Sequence, residues 1–349
     1  MIEADDLKSA VQSGLLTEAQ AAQLTALAAE RQTGRKVVRA GEEPFELFRG
    51  FNEVFIVVGL GILGFGWVGV LGILLTRSGD FQTFALTAAL VTGAVILGLA
   101  EYFIRRRRMV APAILLSVGW TATALAAWLI QFNAITLFGG FRTEVAAGPI
   151  ALAAATTGVF WWRYRVPFAM ALIGVQTFGA WLLFLATTSG QNATLRDIFL
   201  LSSQGPLAWG TLLFGLGIFA FAMRFDMSDP HRVTLRSANG FWLHVIAAPA
   251  IVNTVALTLI VAGQNAALIA LLAIVAALAI VIDRRSFLLS AVGYVIVLIG
   301  QISEGDRVMI AILALGVGLV ALGAAWQGIR RWLMRGVPAT LVPFLPPSR

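Results

Sequence analysis

The chain has no cysteine and only two histidines, His231 and His244, in 349 residues. Without thiols there is no disulfide, iron–sulfur cluster, thiolate nucleophile or Cys-ligated zinc. His231 falls between apolar runs, so a bis-histidine haem inside a membrane is excluded too. Charge is sparse: 12% of residues are charged, where soluble domains carry about 25%. No phosphate-binding glycine loop, HExxH zinc pair or GxSxG serine elbow is present. No apolar run holds two acids as a carboxylate dyad. These residues imply no cofactor, no metal and no catalytic group.

What the chain has in excess is apolar length. Hydrophobic residues make up 59%, and ten apolar segments stand out, at 53–75, 81–104, 110–130, 145–162, 167–187, 206–225, 241–262, 265–282, 286–302 and 308–329. Each is long enough, as a helix, to cross roughly 30 Å of hydrocarbon. The predicted fold class is all-α, a polytopic transmembrane bundle of about ten spans.

Basic residues fix the expected orientation. If the connections are assigned alternately to two sides, 21 of the 25 Lys and Arg fall on one side, and only Arg77, Arg142, Arg196 and Arg307 on the other. Cytoplasmic flanks collect Lys and Arg, so the crowded side is inside and both ends of the chain are cytoplasmic. Acids do not cancel the bias: five lie outside and 13 inside, leaving the inner side at +8 of the total +7. Such dispersed charge suits an anionic inner leaflet rather than nucleic acid, which calls for basic residues gathered on one face. The first apolar run begins after about 50 residues of mixed charge, which predicts no cleavable signal.

Four units follow. Residues 1–40 read as a small cytoplasmic helical hairpin: Leu7, Val11 and Leu15 mark one face, Gly14 breaks it, and Thr17 caps a second helix with Gln20 as its capping-box partner. A unit this small buries little core and is expected to lean on a partner protein, the membrane domain or a second copy. Residues 41–52 read as an interfacial helix opened by Pro44, with Phe45, Phe48 and Phe51 as an aromatic stripe. Residues 53–330 form the ten-span domain, and 331–349 a basic, proline-rich cytoplasmic tail, expected to be disordered or to dock in extended form.

Within the spans, Ala147, Ala151 and Ala155, with Ala154 and Gly158 beside them, predict a small-residue packing face on a central helix. The glycines of the first span are spread around the wheel, which argues against one dimer seam. Trp161, Trp162, Tyr164, Trp242 and Trp332 are expected in the interfacial aromatic belt. Gly190-Gln191-Asn192-Ala193 recurs as Gly263-Gln264-Asn265-Ala266, a weak sign of duplicated hairpins.

Few polar residues fall inside the spans, and each is a candidate for function because lipid burial is costly. Glu101 is either a proton or cation carrier or a partner of Arg105 one turn on. His244 is either a titrating group or a headgroup-level imidazole. Pro249 removes the hydrogen bond to the Val245 carbonyl beside it. Asn253 lies half a turn out of phase with His244 and, like Gln176, reads as an interhelical hydrogen-bond former. Glu53 opens the first span, where a helix N-terminus favours a carboxylate. Arg105, Arg106, Arg107 and Arg108 are expected to contact lipid headgroups, and Asp283, Arg284 and Arg285 to form a solvated loop cluster.

The stretches Gly14–Gln20, Trp242–Pro249 and Asp283-Arg284-Arg285 resemble a family of bacterial predicted membrane proteins in which a helical hairpin precedes a many-span domain. The resemblance implies a bacterial inner-membrane location and carries over no activity or catalytic residue. The ten-span layout also resembles drug/metabolite exporters, but this chain has an extra N-terminal unit and lacks their inverted repeat. Three functions follow in order: a non-enzymatic envelope protein acting through lipids or partners, a transporter or exporter of a small or amphipathic solute, and a membrane enzyme on lipid-linked substrates. The last would need Glu101, His244 and the Arg105–Arg108 cluster to converge.

Overall fold

The computed structural model describes residues 51–136, 140–190, 194–201, 205–232, 234–284 and 306–346, with isolated positions at 10–11, 13–17, 20, 287, 292 and 296. The architecture is helical. The elements are α1 (Phe51–Arg77), α2 (Phe81–Ala100, widening into a π-helical turn over Glu101–Arg106), α3 (Val110–Gln131), α4 (Thr143–Tyr164), α5 (Phe168–Ser189), a short α6 (Leu195–Phe199), α7 (Leu207–Ser228), α8 (Leu235–Val261), α9 (Asn265–Val281) and α10 (Asp306–Met334). Among the described residues seven helices are long and apolar enough to span a membrane, and α9 is a shorter apolar one. A two-stranded antiparallel hairpin, Ile135–Thr136 against Gly140–Phe141, interrupts the all-α pattern between α3 and α4.

Helix ends follow local chemistry. Asp80 caps α2, accepting hydrogen bonds from the Gln82 and Thr83 backbones at 3.0 and 3.3 Å. Hydrogen bonds from Thr83, side chain first and then backbone, hold its carboxyl below the usual carboxylate range. A depressed folded-state pKa gives stability that is complete above the unfolded value and lost as pH falls through the folded one. We expect Asp80→Ala to lower the thermal midpoint at neutral pH, and the deficit to shrink as pH drops below 3.8; a deficit independent of pH would show that the charge is idle. Gly190 and Gly263 end α5 and α8 at φ 64° and 67°, a left-handed region in which a Cβ would be strained. The recurring Gly-Gln-Asn-Ala thus begins, in both copies, with a residue that helix termination requires.

Of the residues expected to form the N-terminal hairpin, 10–11, 13–17 and 20 are described. Thr17 and Gln20 exchange the two capping-box hydrogen bonds, at 3.0 and 3.3 Å, and Gly14 takes φ 74°. The rest of residues 1–40, and the interfacial stripe before Phe51, lie outside the described residues.

Small residues set the packing. α4 lies between α3 and α5, but the face it buries is Ala146, Pro149, Ala153, Ala154, Thr157, Phe160 and Tyr164. The predicted Ala147–Ala151–Ala155 face is a correction: Ala151 and Ala155 are exposed. Thr157 and Phe160 continue the Ala153 stripe with groups that find partners across the interface. Thr157 donates to Gln176 of α5 at 3.0 Å and Phe160 stacks on Trp120 of α3. Gln176 is therefore the expected interhelical hydrogen-bond former, whereas Asn253, half-buried on α8, makes no such bond among the described residues. Tight approaches join α7 and α8, where a Cβ on Gly215 would lie 2.9 Å from Ala250 Cβ and 3.3 Å from the Ile251 backbone nitrogen. By contrast the six glycines of α1 meet nothing within 4 Å among the described residues.

The aromatic-belt expectation divides. Trp162 and Trp332 are largely exposed. Trp161, Tyr164 and Trp242 turn inward: Trp161 donates to Asn239 at 3.3 Å, Tyr164 to the Leu97 carbonyl at 3.3 Å, and Trp242 meets Phe168 edge-on. Of the two alternatives for the tail, its described part favours docking, through a turn rather than in fully extended form. Its described part is not a free strand: it turns through Val342–Phe344, Leu345 packs on the α8–α9 core, and Arg330 donates to the Pro346 carbonyl.

Candidate functional site: a buried charge network and a basic cleft

Asp226 lies in the last turn of α7 and shares its helix face with Gly215, Phe219 and Ala222. That small-residue face lets α8 come close, and Asp226 is carried into the contact at 6% exposure. Arg284, just past α9, reaches it with two hydrogen bonds: Nε donates to Oδ2 at 2.9 Å and Nη2 to Oδ1. Nη2 also donates to the Ser237 carbonyl at 2.8 Å. His244 of α8 lies 2.9 Å from Oδ2 through Nε2. A carboxylate held by a guanidinium is an acceptor, so His244 Nε2 carries the proton of that bond. The imidazole has no exposure, sits between Phe219 and Phe287 at 5.5 and 5.7 Å, and its Nδ1 has no partner among the described residues.

The network continues along the same end. In the α7–α8 turn Asp229 accepts from the backbone and hydroxyl of Thr234 at 2.9 and 2.8 Å, fixing the start of α8. Arg232 pairs with Asp283 at 2.9 Å and donates to the Asp283 carbonyl at 2.8 Å. Burial, then the nearby Arg284, pulls its pKa down, opposed by Asp283. An arginine starts so far above neutrality that it stays charged. Asp283 also accepts from Trp326 of α10 at 2.8 Å, and the buried Arg330 donates to the Ile280 carbonyl at 3.2 Å. The expected solvated Asp283–Arg284–Arg285 cluster is overturned on this point: Arg284 is 6% exposed and neutralises a buried acid 58 residues away. Arg285 lies outside the described residues.

Glu101 belongs to a second, separate network. Arg105 meets it at 2.5 Å from the next turn, and Arg163 of α4 at 3.1 Å. It therefore has the predicted Arg105 partner and one that its own helix does not reveal. Its face is not the packed one expected, since Gly98 and Ala94 are exposed and nothing lies within 4 Å of a Cβ on Gly98 among the described residues. All four arginines of Arg105–Arg108 are exposed; Arg107 binds the Tyr102 hydroxyl at 3.1 Å. Glu53 is 2% exposed at the start of α1, and its Oε2 has no hydrogen-bond partner among the described residues. Pro249 is half-buried inside α8, five residues beyond His244.

The predicted polar residues thus do not form one site. Glu101 binds Arg105 and Arg163, His244 binds Asp226, and Asn253 and Glu53 stand apart. Asp226 and Arg284 were absent from the sequence-based candidates. The available signal was an acid on a face of small and apolar residues with no base one turn away. Between the two networks lies an open cleft of about 420 Å³, lined among others by Trp161, Arg165, Arg224 and Arg236.

Compared with known proteins, the chain matches no family model, no curated protein and no solved structure.

Proposed function

We propose that this is a non-enzymatic, ten-span protein of a bacterial inner membrane, with both ends in the cytoplasm. It works at the inner leaflet through anionic lipids and through a partner held by its N-terminal segment. One observation carries the reading: contacts gather the arginine-rich helix ends into one surface. Arg163 meets Glu101, Trp161 meets Asn239, Arg284 meets Asp226, and Arg330 caps the carbonyl of Ile280. The acids there, Asp226 and Glu101, are held by arginines, while Arg105 to Arg108, Arg163, Arg165, Arg224 and Arg236 stay exposed. Such a collar attracts anionic headgroups at about 1 kcal/mol per residue near the surface. Spin-labelled phosphatidylglycerol should be retained around the reconstituted protein in preference to phosphatidylcholine, and the preference should weaken with salt. Equal retention of the two lipids would end this reading.

A second reading, proton-coupled export of a small or amphipathic solute, is favoured by the His244–Asp226–Arg284 network, because buried ionisable groups mark many transport paths. It requires flux in proteoliposomes under a proton gradient that Asp226→Asn abolishes; flux unchanged in that variant removes it.

A further inference from the structure

The strap that follows α10, residues 338–346, carries its own backbone hydrogen bonds. Leu341 donates to the Pro338 carbonyl at 2.9 Å, Phe344 to Leu341 at 3.1 Å and Leu345 to Val342 at 3.2 Å. Pro338, Pro343 and Pro346 have no N–H to offer. The strap can therefore leave the helices without breaking a backbone ladder. Residues 338–344 are exposed, Leu345 is half-buried and Pro346 is buried. A segment that buries so little belongs to the part of a fold that opens locally while the rest stays folded.

A side chain and a small apolar contact hold the strap down. Arg330 of α10, 1% exposed, donates to the Ile280 carbonyl at 3.2 Å and to the Pro346 carbonyl. Ile280 lies in the last turn of α9, where a helix leaves carbonyls for outside donors. The guanidinium keeps that acceptor when Pro346 departs, so release does not strand a buried charge. Leu345 packs on the α8–α9 core, which holds Ala279, Ile282 and Phe287 and has Phe219 and Met223 of α7 against it. The turn Val342–Phe344 also touches α7.

The strap thus lies across the ends of α7 and α9. Beneath it, Phe219 and Phe287 are the rings that flank His244. From outside inward the order is strap, apolar core, imidazole. His244 has no exposure, and its Nδ1 has no partner among the described residues. A buried polar atom without a partner is costly. Water reaching it would remove that cost, so opening is favoured at this point of the bundle.

We propose that residues 338–346 are a releasable latch over the junction of α7, α8 and α9. Docked, the latch closes this end above His244; released, it admits water to the junction. The proposal goes beyond both functional readings and needs neither a lipid preference nor solute flux. The chain has no cysteine, so a single introduced thiol reports access through its reaction with a water-soluble maleimide. Ile282→Cys puts the thiol in the core under the strap, at a residue 4% exposed. Ser117→Cys puts a control on α3, at a residue with no exposure and outside that core. Both are measured in detergent, in the full chain and in a chain ending at Leu341. In the full chain the thiol at position 282 should react roughly tenfold faster than that at 117, because the latch opens locally. The shortened chain should speed position 282 by a further factor on the order of ten and leave 117 unchanged. If the shortened chain does not fold, Leu345→Asp in the full chain should give the same gain at 282 alone. No gain at 282 would mean that the strap covers nothing. Equal gains at 282 and 117 would make the tail a general stabiliser of the bundle. Equal, slow reaction of both thiols in the full chain would mean that the strap does not release. Each of these three results overturns the latch.

Discussion

Asp226→Ala should cost about 3–5 kcal/mol of stability, the usual consequence of stranding a buried charge. The carboxylate takes two hydrogen bonds from Arg284 and one from His244. Its removal leaves a guanidinium at 6% exposure with no other acid bonded to it among the described residues. At a few degrees per kcal/mol, the thermal midpoint in detergent should fall on the order of 10 °C. Combining Asp226→Leu with Arg284→Met should recover most of the loss, because a well-packed apolar pair often matches or exceeds a buried ion pair. This combination separates two roles. If the pair only locks helices, the double variant keeps its lipid preference and its fold. A single Asp226→Ala variant within about 1 kcal/mol of wild type would place the carboxylate in water and dissolve the network as described.

Gly240→Ala should be nearly as damaging although it adds one methyl group. A Cβ at Gly240 would stand 2.5 Å from Asp226 Oδ1 and 3.3 Å from the Ala222 carbonyl oxygen. Neither neighbour yields easily: one is a carboxylate fixed by Arg284, the other is backbone of α7. Overpacking of this kind costs about 1–3 kcal/mol, and displacing the carboxylate adds part of the ion-pair loss. The two effects share a contact, so they should not be additive. In the Asp226→Ala background, Gly240→Ala should cost clearly less than in wild type, measured as a double-mutant cycle on unfolding free energies. Full additivity would mean that α7 and α8 are not in contact at this point.

Much of the architecture is readable along the chain. Apolar runs near 20 residues predict the long helices because a bilayer requires every backbone group to be satisfied within the segment. Thr17 with Gln20, and Glu101 with Arg105, were legible because their partners sit three or four residues away. A helix places such positions on one face whatever surrounds it. Gly190 and Gly263 read along the chain only as the start of a repeated tetrad; their left-handed φ of 64° and 67° came from the structure.

The candidate site was not legible to the same degree. Arg284 reads as a loop arginine because its partner lies 58 residues earlier, and Asp226 reads as a flank acid because its histidine is 18 residues away on the next helix. The small-residue face of α4 was misplaced by one position around the wheel, since Ala and Gly are common on both faces and only the neighbours decide which is covered. Trp161 reads as a belt residue until Asn239, 78 residues on, is found accepting from its indole.

Composition and apolar length therefore determine by themselves that this is a helical, membrane-type protein. These are properties of each segment against its solvent, and they need no partner. Which arginines are spent on buried acids, and which are left to line a cleft, was decided only by the packing of α4, α7, α8 and α9. Identical guanidinium groups differ only in what the fold brings within about 3 Å of them, a distance at which one hydrogen bond or ion pair fixes the role.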